Sequence, residues 1–232
     1  MQSRAYSLPL LKLIFLCLLI GLIQGCNNDS DKNESREFLI TVTNLTNNQP
    51  FSPITGIVST NNTSLFSIGD VASISLEKLA ESGDNQEILT QNDSTISGDN
   101  LLLPGKSDNL KLEANITSEI DVSLGFTLLA MLVNTNDGFI GINNIDISKL
   151  QKEESMVVYS KIYDAGTEGN SEATTDVPGQ SGEGFNSMRD DRNFIAIHPG
   201  IIGEEEGLST SALNMTHRFD NPGAKVVVTR IN

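Results

Sequence analysis

From Phe38 onward the apolar residues come in short runs that alternate with polar ones or stop at turn-forming clusters, and that spacing restricts the chain to strands. Phe38, Ile40, Val42 and Leu45, with Thr41 and Thr43 between them, mark the first. Ile57, Val58, Leu65, Phe66 and Ile68 suggest another extended segment around a polar loop at Asn61–Ser64. Leu101–Leu103, Leu110–Ile116, Asp121–Val133, Met156–Tyr163, Phe194–His198 and Ala224–Ile231 supply the rest, and the continuous apolar run ending at Val133 is expected of a central strand buried on both faces. One stretch breaks the pattern. Gly69 and Asp70 can start a helix, and Val71, Ile74, Leu76, Leu79 and Ala80 follow at helical spacing until Gly83 stops it. About eight short strands with one brief helix predict an all-β chain, an antiparallel eight-stranded Greek-key β-sandwich. Ala165–Arg192, rich in glycine, serine and acids, is predicted to be a long irregular loop, and loops of that length are commonly functional or disordered.

No disulfide is expected to staple this sandwich, because the chain has two cysteines and both lie near its start. Residues 1–25 read as an export signal: Arg4 and Lys12 supply positive charge, and Leu13–Ile23 is an apolar run too short to span a bilayer. The run ends in Ile23, Gln24, Gly25 and Cys26, which resembles the lipobox of bacterial lipoproteins. That resemblance implies cleavage before Cys26 and lipid on its thiol and freed amine. At roughly 0.8 kcal/mol per buried methylene, several acyl chains make a lasting tether. The alternative is an ordinary secretory signal whose cleavage region contains a cysteine. Asn27 follows where an aspartate would signal inner-membrane retention, so the resemblance implies an outer-membrane address in a Gram-negative cell. Residues 26–37 are polar and charged and are expected to act as a flexible linker, leaving 38–232 as the domain.

The formal charge is −15, and removing the signal with Arg4 and Lys12 leaves 13 basic against 30 acidic residues, or −17. Phosphate polymers are repelled by such a surface, which argues against nucleic acid as a partner, whereas divalent cations are attracted. Most of that charge is expected to be solvated surface, so only clustered acids argue for a site. The Asn-x-Ser/Thr sites at Asn44, Asn115 and Asn214 are expected to be bare in a bacterium.

Two stretches that follow predicted strands stand out, Asn134–Gly141 (NTNDGFIG) and Tyr163–Glu172 (YDAGTEGNSE). Loops leaving neighbouring strands at one end of a sandwich can bring Asp137, Asp164 and Glu168 together. Like charges a few ångströms apart cost kilocalories even at an effective dielectric near 20, and a cation removes that cost. Oxygen donors without His or Cys suit a hard ion such as calcium rather than zinc. The same Asp-Gly pairs also occur in plain turns. His198 and His217 are the only imidazoles; no Gly-x-Ser-x-Gly elbow accompanies them, and His198 is expected to close a strand end by hydrogen bonding.

Several segments taken in order resemble the spondin domain of F-spondin and mindin. Phe51, Ser52 and Pro53 match its FSP, and Phe66–Asp70 with Leu79, Ala80, Glu81, Ser82, Gly83 and Asp84 match its LAE-x-GD region. Met131–Gly141 matches MLxxTNDxF, Tyr163–Glu168 matches YDAGTE, and His198–Ile201 matches HPGI. The resemblance implies an eight-stranded β-sandwich with calcium among acids at Asp137, Asp164 and Glu168, the last being aspartate in the animal members. It also implies a non-enzymatic, lipid-anchored adhesion or binding module at the cell envelope, whose partner is an extracellular protein or glycan. The alternative is a calcium-dependent envelope hydrolase of glycans or lipids using Asp137 and Glu168 as acid and base; three tyrosines and no tryptophan leave it little to stack a sugar on.

Overall fold

The strands with one apolar face form one sheet, and the run at 125–131, apolar on both faces, lies in the other. The computed structural model describes Gln2 and residues 34–61, 64–116 and 123–232. Contacts divide the chain into Met1–Lys32 and Asn33–Asn232, and the fold belongs to the second unit. Apart from Gln2, the export segment, Cys26 and the linker as far as Asn33 lie outside the described residues. In chain order the elements are β1 (Glu34–Asn44), β2 (Thr55–Ser59), α1 (Ile74–Ser82), α2 (Gln86–Thr90), β3 (Ser94–Ser97), β4 (Ser107–Ile116), β5 (Gly125–Met131), β6 (Gly138–Asp146), β7 (Ser155–Asp164), β8 (Ala196–Ile197) and β9 (Ala224–Arg230).

Every pairing is antiparallel, along the order β3-β2-β5-β6-β7-β9-β1-β4 with β8 added to β7. The path divides within β7. Its first part, Ser155–Ser160, pairs with β9, and its last four residues, Lys161–Asp164, pair with β6. One strand therefore belongs to both sheets of the sandwich, as expected for strands that switch sheets at a corner. Ser160 is buried at the switch, where its hydroxyl both donates to the Gly141 carbonyl at 3.0 Å and accepts from the Gly141 N–H at 2.9 Å.

The first sheet obeys period two. Phe38, Ile40 and Val42 of β1 point inward, as do Leu110, Leu112 and Ala114 of β4 and Ala224, Val226 and Val228 of β9, while the intervening residues face out. In the second sheet β5 is buried at every residue. Phe126, Leu128 and Ala130 enter the main core, and Leu129 packs on the other face in a separate cluster with Leu76, Leu79 and Ala80 of α1, Phe139 and Ile57. The helix covers what would otherwise be an exposed apolar face.

The antiparallel β class is as the strand spacing predicts, with differences in detail. Pairing starts at Glu34, so the last four residues of the polar linker belong to β1, held by the partner strand rather than by their own apolarity. The helix begins later than Gly69: Ser73 caps it by accepting from the Leu76 N–H, and Val71 and Ile74 are exposed. Gly83 ends it at φ 71°, returning its N–H to Leu79. A second helix, α2, is too short to carry a periodic stripe. β6 occupies most of what reads as a loop after Asn134, and the polar β3 reads as no strand at all; both are imposed by their neighbours. Leu101–Leu103 reduces to a single bridge between Leu102 and Phe51, and Leu65–Ile68 forms no strand.

Candidate functional site

The start of β6 and the end of β7 are antiparallel neighbours, with Gly138 opposite Asp164. That register brings Asp137, one residue before β6, beside the segment that leaves β7, and the Ala165 N–H donates to the Asp137 carbonyl at 3.2 Å. Both carboxylates are fully buried. Asp137 Oδ2 accepts the Thr167 N–H at 2.7 Å, the Glu168 N–H at 3.1 Å and the Thr167 hydroxyl at 3.2 Å. Its other oxygen, Oδ1, meets no donor. Burial, and after it the charge of Asp164, pushes the Asp137 carboxyl up to about 7, against the lowering effect of the donors at Oδ2.

Asp164 is better served. Its Oδ1 accepts the Gly166 N–H at 2.9 Å, and Oδ2 accepts Asn170 Nδ2 at 2.7 Å and faces Arg192 Nη2 at 2.5 Å. Gly166 is required there: its φ is 72°, and a Cβ would stand 2.2 Å from the Phe194 carbonyl oxygen. The Arg192 guanidinium, 5.7 Å from the centre of the Phe194 ring, is the counter-charge of the buried pair.

Glu168 is half-buried and lines a pocket of about 420 Å³ with Asn136, Asn170, Asp176, Glu183 and Asp190. Burial and then the charges of Glu81, Asp137, Asp176 and Asp190 push its carboxyl up to about 8. The structure thus brings Asp137 and Asp164 together in the interior and sets Glu168 on the wall of an acidic pocket. Among the described residues no group of three or more His, Cys, Asp or Glu is arranged to hold a metal ion. The donor chemistry still suits a hard cation, since all three groups are oxygen ligands and one buried carboxylate oxygen lacks a donor.

His198 closes the end of β8 as a hydrogen-bonding residue. It is buried, its Nδ1 accepts the Gly200 N–H at 3.0 Å, its ring meets Phe219 edge-on, and burial lowers its pKa to about 4.

Sequence reasoning missed the acids that dock the loop after β7. Glu77 and Glu81, one turn apart on α1, are both buried. Glu77 takes a two-pronged ion pair from Arg189, with Nε 3.0 Å from Oε1, and Arg189 also donates to the Ala72 carbonyl. Glu81 accepts the Asn186 N–H at 2.9 Å. Glu172, at φ 53°, accepts the N–H groups of Ile202 and Gly203 and the hydroxyl of Ser211. The four-residue spacing of Glu77 and Glu81 was a visible signal of a shared helix face, but their burial was not visible.

The family model of the spondin N-terminal domain, Spondin_N, matches residues 42–192. The chain belongs to the spondin N-terminal domain family. The match runs from within β1 past the end of β7 and includes Asp137, Asp164, Glu168, Glu81 and Arg192, so the loop end of this spondin domain lies inside the shared region. No curated protein matches the chain closely enough to add a relative to that assignment. Among the described residues of the spondin domain no helix is long and apolar enough to cross a membrane.

Proposed function

We propose that this chain is a non-enzymatic binding module of spondin type, presented outside the cytoplasm by lipid on Cys26, probed by its partners at the loop end and stiffened there by calcium. The family match across the strands that build that end is the observation that carries the reading. In support of calcium stand the orphaned Oδ1 of Asp137 and the excess of negative charge around it and Glu168. Asp137, Asp164 and Glu168 would hold the ion, with Arg192 giving up Asp164 to it. The ion would supply positive charge and rigidity; binding a partner falls to the loops themselves. In support of the anchor stand the apolar run ending at Ile23 and the glycine before Cys26, with Asn27 favouring the outer membrane.

Calcium that binds the native state alone raises the melting temperature by mass action, and a calcium titration of the full chain in detergent checks this. Asp164→Asn abolishes the rise; an unchanged response removes the calcium reading. Cys26→Ser releases the protein from membranes and ends incorporation of labelled fatty acid, and continued membrane association of that variant removes the anchor.

A further inference from the structure

The path of strands does not close on itself. It ends at β3 on one side and at β4 on the other, and among the described residues β4 pairs with β1 alone. β3 has only four residues, and shortness guards its edge; β4 has ten in unbroken register with β1, with no proline, glycine or bulge along it. The Asn44 N–H donates to the Lys106 carbonyl just before that register begins. Antiparallel alternation from there turns the even-numbered backbone groups of β4 toward β1, and those of Ser107, Asn109, Lys111, Glu113 and Asn115 toward the open edge. A cleft of about 490 Å³, lined also by Ile96, Gly98, Leu101 and Leu103, leaves room beside the edge from Ser107 to Lys111. Charge sets this strip apart as well. The chain carries −15, whereas Lys106–Ile116 holds Lys106 and Lys111 against Asp108 and Glu113 and is neutral.

From this edge we infer that two copies of the chain join at β4, antiparallel about a two-fold axis at Leu112, with Lys111 of each copy opposite the partner's Glu113. In that register Lys111 and Glu113 exchange backbone hydrogen bonds, and their side chains, on the outer face, make an opposite-charge pair twice over. Sliding by one pair either way sets Lys111 against Lys111 or Glu113 against Glu113, so charge selects one register. The inward row is Leu110, Leu112 and Ala114, with no charge to obstruct pairing. Asp108 stands at the strand's start, where its Oδ1 accepts the Asn109 N–H at 2.8 Å and ends the ladder. Lys111 and Glu113 now meet Glu37 and Ser35 of β1, but these contacts are exposed and cost little to share. A strand from another protein could satisfy the same backbone groups; a second copy supplies the complementary charges by symmetry alone. Because β7 and β1 are both antiparallel to β9, they run the same way, and the two-fold axis sends the two loop ends to opposite extremities. The dimer thus presents two binding ends.

Sedimentation equilibrium of the purified full chain in detergent, with EGTA present, tests the pairing. The wild type is dimeric at about 100 µM, and Lys111→Glu, which sets two acids face to face on each flank, raises the dissociation constant about tenfold. Lys111→Glu with Glu113→Lys restores it to within about threefold, since the reversed charges face each other again. Chains that merely share a micelle through lipid associate equally in all three forms, and that result overturns the inference. A double variant as weak as the single one overturns the register and the interface with it. A wild type that stays monomeric leaves the edge to a strand from another protein and overturns the second copy as occupant. The calcium and anchor tests involve neither Lys111 nor Glu113, so either reading can fail without the other.

Discussion

The first sheet and the loop layer after β7 are both ordered, by opposite means. β4, β1 and β9 cohere through apolar side chains with almost no exposure, Phe38, Ile40, Val42, Leu112 and Val228 among them. The layer from Ala165 to Arg192 offers little to bury, Val177 being its one large aliphatic inside, and it is fastened by carboxylates: Asp137 to Thr167 and Glu168, Asp164 to Arg192, Glu77 to Arg189, Glu81 to Asn186, and Glu172 to Ile202, Gly203 and Ser211. Apolar burial is non-directional and indifferent to pH, so such a sheet tolerates small shifts of its members. A buried carboxylate demands particular donors, and the loss of one group leaves the others without partners.

The contrast is broken most forcefully in the core. Phe126→Ala removes a fully buried ring from the centre of β5 and costs about 3–5 kcal/mol, which urea unfolding of the whole domain reads as a lowered midpoint with its slope unchanged. If instead only the loop layer became protease-sensitive, the two regions would not be held separately. Glu172→Gln acts on the other side of the comparison. One of its carboxylate oxygens becomes an amide nitrogen facing N–H donors, a cost of about 1–3 kcal/mol, and limited proteolysis localises the damage to the segment around Ile202–Ser211 while the core melts nearly as before.

Acidity sharpens the comparison further. Asp137 and Glu168 hold their protons to about 7 and about 8 in the folded state, above the ordinary 3.8 and 4.5, because of burial and then of neighbouring acids. Between those limits the native state binds more protons than the unfolded one, so stability without calcium falls as pH rises from about 4 to about 8. Melting scans across that range show the decline; Asp137→Asn lessens it and leaves the part that belongs to Glu168, and calcium flattens it in the wild type. A variant whose slope matched the wild type would clear Asp137 of the effect.

The same contrast explains what the amino-acid order reveals. Alternation in Phe38–Val42, Leu110–Ile116 and Ala224–Val228 is a direct imprint of one wet face and one dry face, and the unbroken run of β5 is that of a strand dry on both. β6, with Gly138, Gly141, Asn143 and Asn144, and β3, with Ser94, Thr95 and Ser97, lack that imprint because long-range partners hold them in place. At the site, Asp137 and Asp164 were legible because each stands at the end of a recognisable segment, and their approach follows from two antiparallel neighbours. Glu77, Glu81 and Glu172 read as solvated acids, since nothing local distinguishes a carboxylate facing water from one facing backbone amides. Depth is a property of the whole fold.

The placement of β1 also has a mechanical consequence. The strand begins at Glu34 and is laced on one side to β4 from Glu34 through Thr43, and on the other to β9 from Phe38 through Asn44. A pull applied to the chain before Glu34 runs along the strand axis, so the ladder bonds on both flanks are sheared together rather than peeled one by one. Load enters through the first sheet, while the loop end that carries Asp137 and Glu168 hangs from the second, joined to it through β7. Force along the chain before Glu34 would thus be carried by two paired ladders and not by the carboxylate-fastened loops.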